Sequence, residues 1–286
     1  MATIDFSNSS PLVLRHAVKE ADATGSKLVA VYVVDESLLD HIFNSREGSP
    51  DVRAMENEAR EKFRLLRAEA APNSKVTFRV ESGNPPEKIS EVVKETSATL
   101  LVIGANDMTK KRLGSVAARC VRMTPCDVMV LRDWQGGDFT KVVVCDDFSA
   151  SSARAIKIGA RLAAAQDAVL QIVNVMYPPA LDSWGAVMDH KEDSAIPYIE
   201  ECQIKVGEMM EKSLAPHQEA LKGLEWEAII LEGESSSIMI EAHVRAEKAD
   251  LVIMGTESKS KLASYFFGTN AERLLQDLPV SVLAVR

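Results

Sequence analysis

Leu251-Val252-Ile253-Met254-Gly255-Thr256-Glu257-Ser258 is an apolar run that halts at a glycine, then continues through a polar loop into Gly268-Thr269-Asn270. Four unbroken apolar residues ending at a turn signal suit a strand buried on both faces. Gly255 has no Cβ, so the chain can turn sharply there or a ligand can come close. Gly268-Thr269 opens a helix. Unpaired backbone N–H groups, a hydroxyl and the positive end of the helix dipole then share one place. Those are the components of an anion site, most often for phosphate. A weaker copy lies earlier: Leu100-Leu101-Val102-Ile103-Gly104, followed by Gly114-Ser115.

Working outward, the copy extends over the whole chain. Asp5-Phe6-Ser7 recurs as Asp147-Phe148-Ser149, an offset of 142, and Leu28–Val34 recurs as Val169–Val175. Gly83 answers Gly233, Gly104 answers Gly255, and Pro125 answers Pro279, with offsets growing to 154. The growth indicates two insertions in the second copy, one between its second and third strands and one in the glycine loop. A repeat of this length is a duplicated domain rather than a solenoid unit. The seam falls in Asp133-Trp134-Gln135-Gly136-Gly137-Asp138, a polar glycine turn. The expected domains are residues 1–133 and 139–286.

Within each copy the pattern alternates between strand and helix. In the first, a strand ends at Asp5, and Ser10 caps a helix that has Pro11 at its first position and ends near Gly25. Leu28–Val34 is a continuous apolar strand. Pro50 and Asp51 open a second helix carrying Val52, Met55, Ala59, Phe63, Leu66 and Ala70 at helical spacing. Val76–Val80, Leu100–Ile103 and Val128–Leu131 are further strands, with helices over Glu87–Thr96 and after Gly114. Such alternation, with unbroken apolar strands, is the pattern of an α/β fold with helices on both faces of a parallel sheet. The fold class is two tandem doubly wound domains. Ligands of such sheets bind beyond the carboxyl ends of the strands, where the strand order reverses. Asp147, Val175, Gly233 and Gly255 are all expected at strand ends.

Composition narrows the function classes. The chain has 286 residues, 46% hydrophobic and 26% charged, with a net charge of −9. Most of that charge lies in the second half, where 14 Lys+Arg face 22 Asp+Glu over residues 139–286. An acidic chain argues against nucleic acid or an anionic membrane surface as partner. No apolar run reaches 18 residues, so no membrane span is expected, and the amino terminus lacks the pattern of a signal peptide. Cys120, Cys126, Cys145 and Cys202 form no C-x-x-C and read as reduced, mostly buried thiols of a cytoplasmic protein.

Candidate chemistry is sparse. Asp147 could accept from a purine amino group or a ribose hydroxyl, or could serve the following helix N-terminus. The pair Asp146-Asp147 invites a response-regulator-like Mg²⁺ site, but no further Asp and no terminal Lys accompany it. Lys259 and Lys261, like Lys110, Lys111 and Arg112, lie in the glycine loops, as phosphate partners or as solvated charges. His41 and His190 lack metal-ligand spacing. The long connection from Tyr177 to Tyr198 is a candidate lid. No complete P-loop, G-x-G-x-x-G or G-x-S-x-G is present, and no catalytic constellation emerges.

These residues resemble the universal stress protein family, as two tandem copies over nearly the whole chain. The carriers are Asp-Phe-Ser-x-x-Ser at Asp5 and Asp147, and Gly255-x-x-Ser258, nine residues, then Gly268-Thr269. Gly104-x-x-Asp107, six residues, then Gly114-Ser115 is the poorer match. The resemblance implies a five-stranded parallel sheet per domain in order 3-2-1-4-5. It implies ATP, with Mg²⁺, in the second domain, with at most slow hydrolysis. Asp147 and the backbone of Val175 would meet the nucleoside, and Gly255, Ser258, Gly268 and Thr269 the phosphates. Asp5, Val33, Gly104, Gly114 and Ser115 are the degenerate counterparts. The resemblance further implies pairing of the last strands, Val128–Leu131 with Val280–Val285, and it admits a homodimer. The competing reading is a scaffold that binds no nucleotide and works through protein partners or another small ligand.

Overall fold

The structure, a computed structural model, describes residues 1–35, 52–105, 113–177, 195–256 and 269–286. Pro50, Asp51, Asp107, Ser258, Gly268, the loop lysines, His41, His190 and most of the Tyr177–Tyr198 connection lie outside the described residues.

The first domain supplies strands β1 (Ala2–Thr3), β2 (Leu28–Val34), β3 (Val76–Ser82), β4 (Leu100–Gly104) and β5 (Asp127–Leu131). The second supplies β6 (Lys141–Cys145), β7 (Val169–Met176), β8 (Trp226–Glu232), β9 (Leu251–Gly255) and β10 (Ser281–Val285). The strands form one continuous sheet in the order β3-β2-β1-β4-β5-β10-β9-β6-β7-β8. Each half therefore has the order 3-2-1-4-5, with parallel pairing throughout, and the halves meet where β5 and β10 pair antiparallel. The expected last-strand pairing occurs within one chain. Its register sets Val282 opposite Val130, Leu283 opposite Met129 and Ala284 opposite Val128. Both strands read as continuous apolar runs because at the seam each is covered on both faces.

The repeat is exact in register. Ala2 pairs Ala30 in the first half, and Val144 pairs Ile172 in the second, both displaced by 142. The shortened first strand accounts for one difference from the sequence reading: β1 ends at Thr3, although Ile4 still donates its N–H to the Val31 carbonyl at 2.8 Å.

One face carries α1 (Ser10–Thr24), α2 (Val52–Ala70), α5 (Ala150–Gln166) and α6 (Ala195–Leu214). The short α7 (Gln218–Leu221) joins them through Leu221. The other face carries α3 (Pro85–Thr96), α4 (Ser115–Met123), α8 (Ser236–Glu247) and α9 (Thr269–Asp277). On the first face one apolar cluster runs unbroken across the seam, from Leu14 and Phe63 to Ile156 and Met210. Ser10 is the first helical residue of α1 and Ser9 its cap, so the expected cap sits one residue later than in the structure. Gly25 ends α1 in the left-handed conformation, as its sequence position implies.

The seam is clamped at both ends. Ser281 Oγ accepts from the Arg132 N–H and donates to the Arg132 carbonyl, both at 3.2 Å. The Arg286 N–H donates to Asp127 at 3.0 Å. The linker folds back so that Trp134 and Phe139 pack edge-on against His16 of α1, at 5.1 and 5.8 Å between centroids. Burial pushes His16 down to about 4, and neither ring nitrogen has a hydrogen-bond partner among the described residues.

Candidate functional site

The strand order reverses at β6, which lies between β7 and β9. The carboxyl ends of these three strands converge where doubly wound sheets bind ligands. Asp147 lies two residues beyond β6, and Val175 is the penultimate residue of β7. Both stand two residues past the Cys145–Val173 pair, so the register sets them level. Asp147 is exposed and Val175 half-buried.

Between them the chain makes a strained turn. Phe148 has a φ of +62°, and its counterpart Phe6 a φ of +58°. A bulky residue in this region costs about 1–2 kcal/mol, and such strain is characteristic of functional turns. The buried Asp146 helps to hold it: its Oδ1 accepts from the Phe148 N–H at 2.9 Å and from Ser152 Oγ at 2.7 Å. Asn174 of β7 donates to the Asp146 carbonyl at 2.7 Å. Ser149 and Ser152 then close a reciprocal capping box at the start of α5.

Gly255 is the last residue of β9. A Cβ there would stand 2.4 Å from Ser151 Oγ and 2.9 Å from the Ser152 backbone nitrogen. Its missing side chain therefore admits the first turn of α5. The close approach at this glycine is made by the protein's own helix, where the sequence suggests a turn or a ligand. Ser151 Oγ lies 3.0 Å from Ser149 Oγ, so Asp147, the serine pair and Gly255 form one contiguous group. Thr256 follows, buried, with its N–H and hydroxyl both donated to the Val285 carbonyl at 2.9 and 3.1 Å. Thr269 is the first residue of α9.

The first domain repeats this arrangement with different partners. Ser7 Oγ and Ser9 Oγ lie 2.9 Å apart, and Gly104 makes room for Ser9. Val33 stands level with Asp5 by register. Asp5 Oδ1, however, accepts from the Ser7 N–H at 3.0 Å, Ser7 Oγ at 2.6 Å and Ser10 Oγ at 2.9 Å. Asp147 accepts one hydrogen bond among the described residues, from the Ser149 N–H at 3.1 Å, and that N–H also reaches Ser152 Oγ. The cause is the residue one earlier. Ile4 occupies the position of Asp146, so Ser10 turns to Asp5, whereas Ser152 is taken by Asp146. Gly114 caps α4, but its N–H already donates to the Ala105 carbonyl at 3.3 Å, and the Gly114 N-cap and Ser115 give no side-chain cap bond.

The chemistry available is that of binding. The described group offers a carboxylate acceptor, a hydroxyl pair and a helix N-terminus. Burial, with the nearby charges of Asp147 and Asp146, pushes the Cys145 thiol up to about 12, so it is not a nucleophile at neutral pH. No group of three or more metal-ligating side chains occurs among the described residues. Sequence reasoning missed Asp146, Phe148 and Asn174 as the parts that shape the site. Doubling of the acid at 146 and 147 was the available signal; a phenylalanine in a left-handed turn gives none.

The sequence profile of the universal stress protein family matches residues 1–132 and again 138–286. The chain belongs to the universal stress protein family. It is a tandem member, with one family domain on each side of the linker. A Thermus aquaticus protein named for that family is 30% identical over 149 residues, covering 52% of this chain and 99% of the relative. A universal stress protein of Archaeoglobus fulgidus has the same fold with a TM-score of 0.67 at 17% identity, covering 99% of this chain and 95% of that one. A putative universal stress protein of Pseudomonas aeruginosa gives 0.65 at 17%, covering 99% and 90%. Both structural matches span the two universal stress protein domains together. No helix among the described residues is long and apolar enough to cross a membrane.

Proposed function

We propose that this tandem universal stress protein is an adenine-nucleotide-responsive binding protein of the cytoplasm, with the nucleotide held by the second domain. The observation that carries this reading is the state of the two equivalent aspartates. Asp5 is held by at least three local donors, whereas among the described residues Asp147 accepts one hydrogen bond, at Oδ1, from a donor it shares. A carboxylate at the reversal point of a doubly wound sheet, level with the free end of β7, suits a ribose hydroxyl or a purine amino group. Val175 would offer its backbone to the base. Gly255, with Ser258, Gly268 and Thr269 on the loop that leaves it, would hold phosphates, and bound Mg²⁺ would offset their charge. The residues present fit such a ligand: an exposed acceptor, hydroxyls and the N-terminus of α5 in one neighbourhood. The described group offers binding contacts, so the role is ligand-linked signalling with at most slow hydrolysis.

The test is direct. Protein purified from cells is denatured and the supernatant assayed for nucleotide, and the stripped protein is titrated with ATP and Mg²⁺ by calorimetry. One equivalent of ATP per chain is expected, with Asp147→Ala weakening binding at least about tenfold and Asp5→Ala leaving it unchanged, a difference of about 1.4 kcal/mol. Absence of both bound nucleotide and heat at millimolar ATP would overturn the reading.

A second reading has its own observation. Gly255 is fully accounted for by its contact with Ser151 and Ser152, so this glycine needs no ligand to explain it. On that reading the chain is a scaffold for protein partners or another small ligand, and the titration above separates the two.

A further inference from the structure

A large groove among the described residues lies away from the carboxyl ends of β6, β7 and β9. It runs between α1 and α5 on the first face of the sheet, with a volume of about 1150 Å³. Leu100 at its floor is half-buried, and Val102, Met129 and Leu283, from three neighbouring strands that include both sides of the seam, are buried beneath it. Along one wall α5 presents two adjacent rows. Ile158, Leu162 and Ala165 form the inner row and Arg154, Lys157 and Arg161 the rim. On the opposite side Ala17, Ala21 and Thr24 of α1 line the groove, with Lys27 just beyond the helix.

The pseudo-twofold relation between the domains explains why the groove exists. His16 and Glu20 of α1 correspond to Ile158 and Leu162 of α5, at the offset of 142. Around His16 the space is filled by Trp134 and Phe139 of the linker. Among the described residues this aromatic plug occurs once. Ile158 and Leu162 are left half-buried and line the groove.

The charge is as informative as the shape. The chain carries −9 overall, yet the charged residues lining this groove are five basic against two acidic. Lys19 is paired with Asp138, and Arg154 with Asp127. Lys27, Lys157 and Arg161 make no ion pair within 4 Å among the described residues. Lys157 and Arg161 are like charges at i, i+4, an arrangement that weakens a helix unless an anion lies between them. The two acids do not cancel this rim. Asp127 is bound to Arg154 and the Arg286 N–H, and Glu20 lies within electrostatic reach of Arg161 and Lys19, so five bases against two acids leave the lining net positive. From Arg154 to Gln166 the wall is about 18 Å long at the helical rise.

We propose that the groove between α1 and α5 binds a long-chain fatty acid, with its chain over Leu100, Ile158 and Leu162 and its carboxylate at Lys157 and Arg161. This site is independent of the nucleotide reading, and either can fail without the other.

The test uses the full chain, delipidated, titrated with palmitate by calorimetry and with the fluorescent eighteen-carbon cis-parinaric acid. Saturable binding of one equivalent is expected, with a dissociation constant of about 10 µM or lower. Lys157→Glu combined with Arg161→Glu, both exposed positions, should weaken it at least about tenfold. Ala21→Trp, which fills the groove, should abolish it. Hexadecanol should bind at least about tenfold more weakly than palmitate. Excess ATP should displace neither ligand. Several results would overturn the proposal: no saturable binding at about 100 µM palmitate, wild-type affinity in the charge-reversed variant, displacement by ATP, or association with phospholipid vesicles only. Thermal unfolding of the charge-reversed variant guards against misfolding, and an unchanged midpoint is expected because both positions are exposed.

Discussion

The two domains share a register to the residue and differ at the turn after their first strand. In the first, Ile4 is buried, Ser10 turns to Asp5, and Phe6 packs on Tyr32 at 4.9 Å. In the second, Asp146 stands where Ile4 does, Asn174 where Tyr32 does, and Ser152 turns inward to Asp146. One buried acid thus frees the next acid for other work. A duplicated domain can therefore lose or keep a binding residue without changing it, because the neighbours that compete for it have changed. The same contrast runs along the first helices, where His16 and Glu20 face Ile158 and Leu162.

The largest expected effect exploits that helix pair. His16 is held near pKa 4 by burial, against 6.5 when exposed. Between those values the unfolded chain binds a proton that the folded chain refuses. Stability therefore falls as pH drops from about 6.5 to about 4, by up to about 3 kcal/mol in total, and levels off below. Urea unfolding at several pH values should find this slope, and His16→Ile, the second domain's choice, should remove it.

The strand-end glycines are next. Gly255→Ala forces a Cβ against the backbone of Ser152 as well as Ser151, whereas Gly104→Ala meets the Ser9 side chain, which can rotate, and Val13 Cγ2 at 3.4 Å. Overpacking at a site that cannot yield costs about 1–3 kcal/mol. Gly255→Ala should lie at the upper end of that range and Gly104→Ala at the lower, read as shifts in unfolding midpoint.

The smallest effect bears most closely on function. Asp146→Ile imports the first domain's arrangement, so Ser152 should turn to Asp147 as Ser10 does to Asp5. ATP affinity should then fall about threefold, roughly 0.6 kcal/mol by calorimetry. An unchanged affinity would mean that the availability of Asp147 is not what separates the domains.

Much of this was open to a reader of the chain. The offset of 142 between Asp5-Phe6-Ser7 and Asp147-Phe148-Ser149 declared the duplication, and the apolar runs at Leu28–Val34 and Val169–Val175 declared a sheet covered on both faces. Periodicity carries that information because burial on two faces leaves a strand no polar positions. Asp147 was visible as a candidate, but its freedom was not, since that depends on which acid Ser152 reaches.

The sequence by itself determined the repeat, the alternation of strand and helix, the glycines at strand ends and the family. Those features are local or periodic, and each is written in a few neighbouring residues. Tertiary structure alone decided that the halves join through β5 and β10 into one sheet. It decided that Gly255 admits Ser151, and that the linker's aromatic residues pack on His16 beside a basic groove between α1 and α5. These depend on contacts between residues more than a hundred positions apart, where packing geometry selects among partners that composition leaves equivalent.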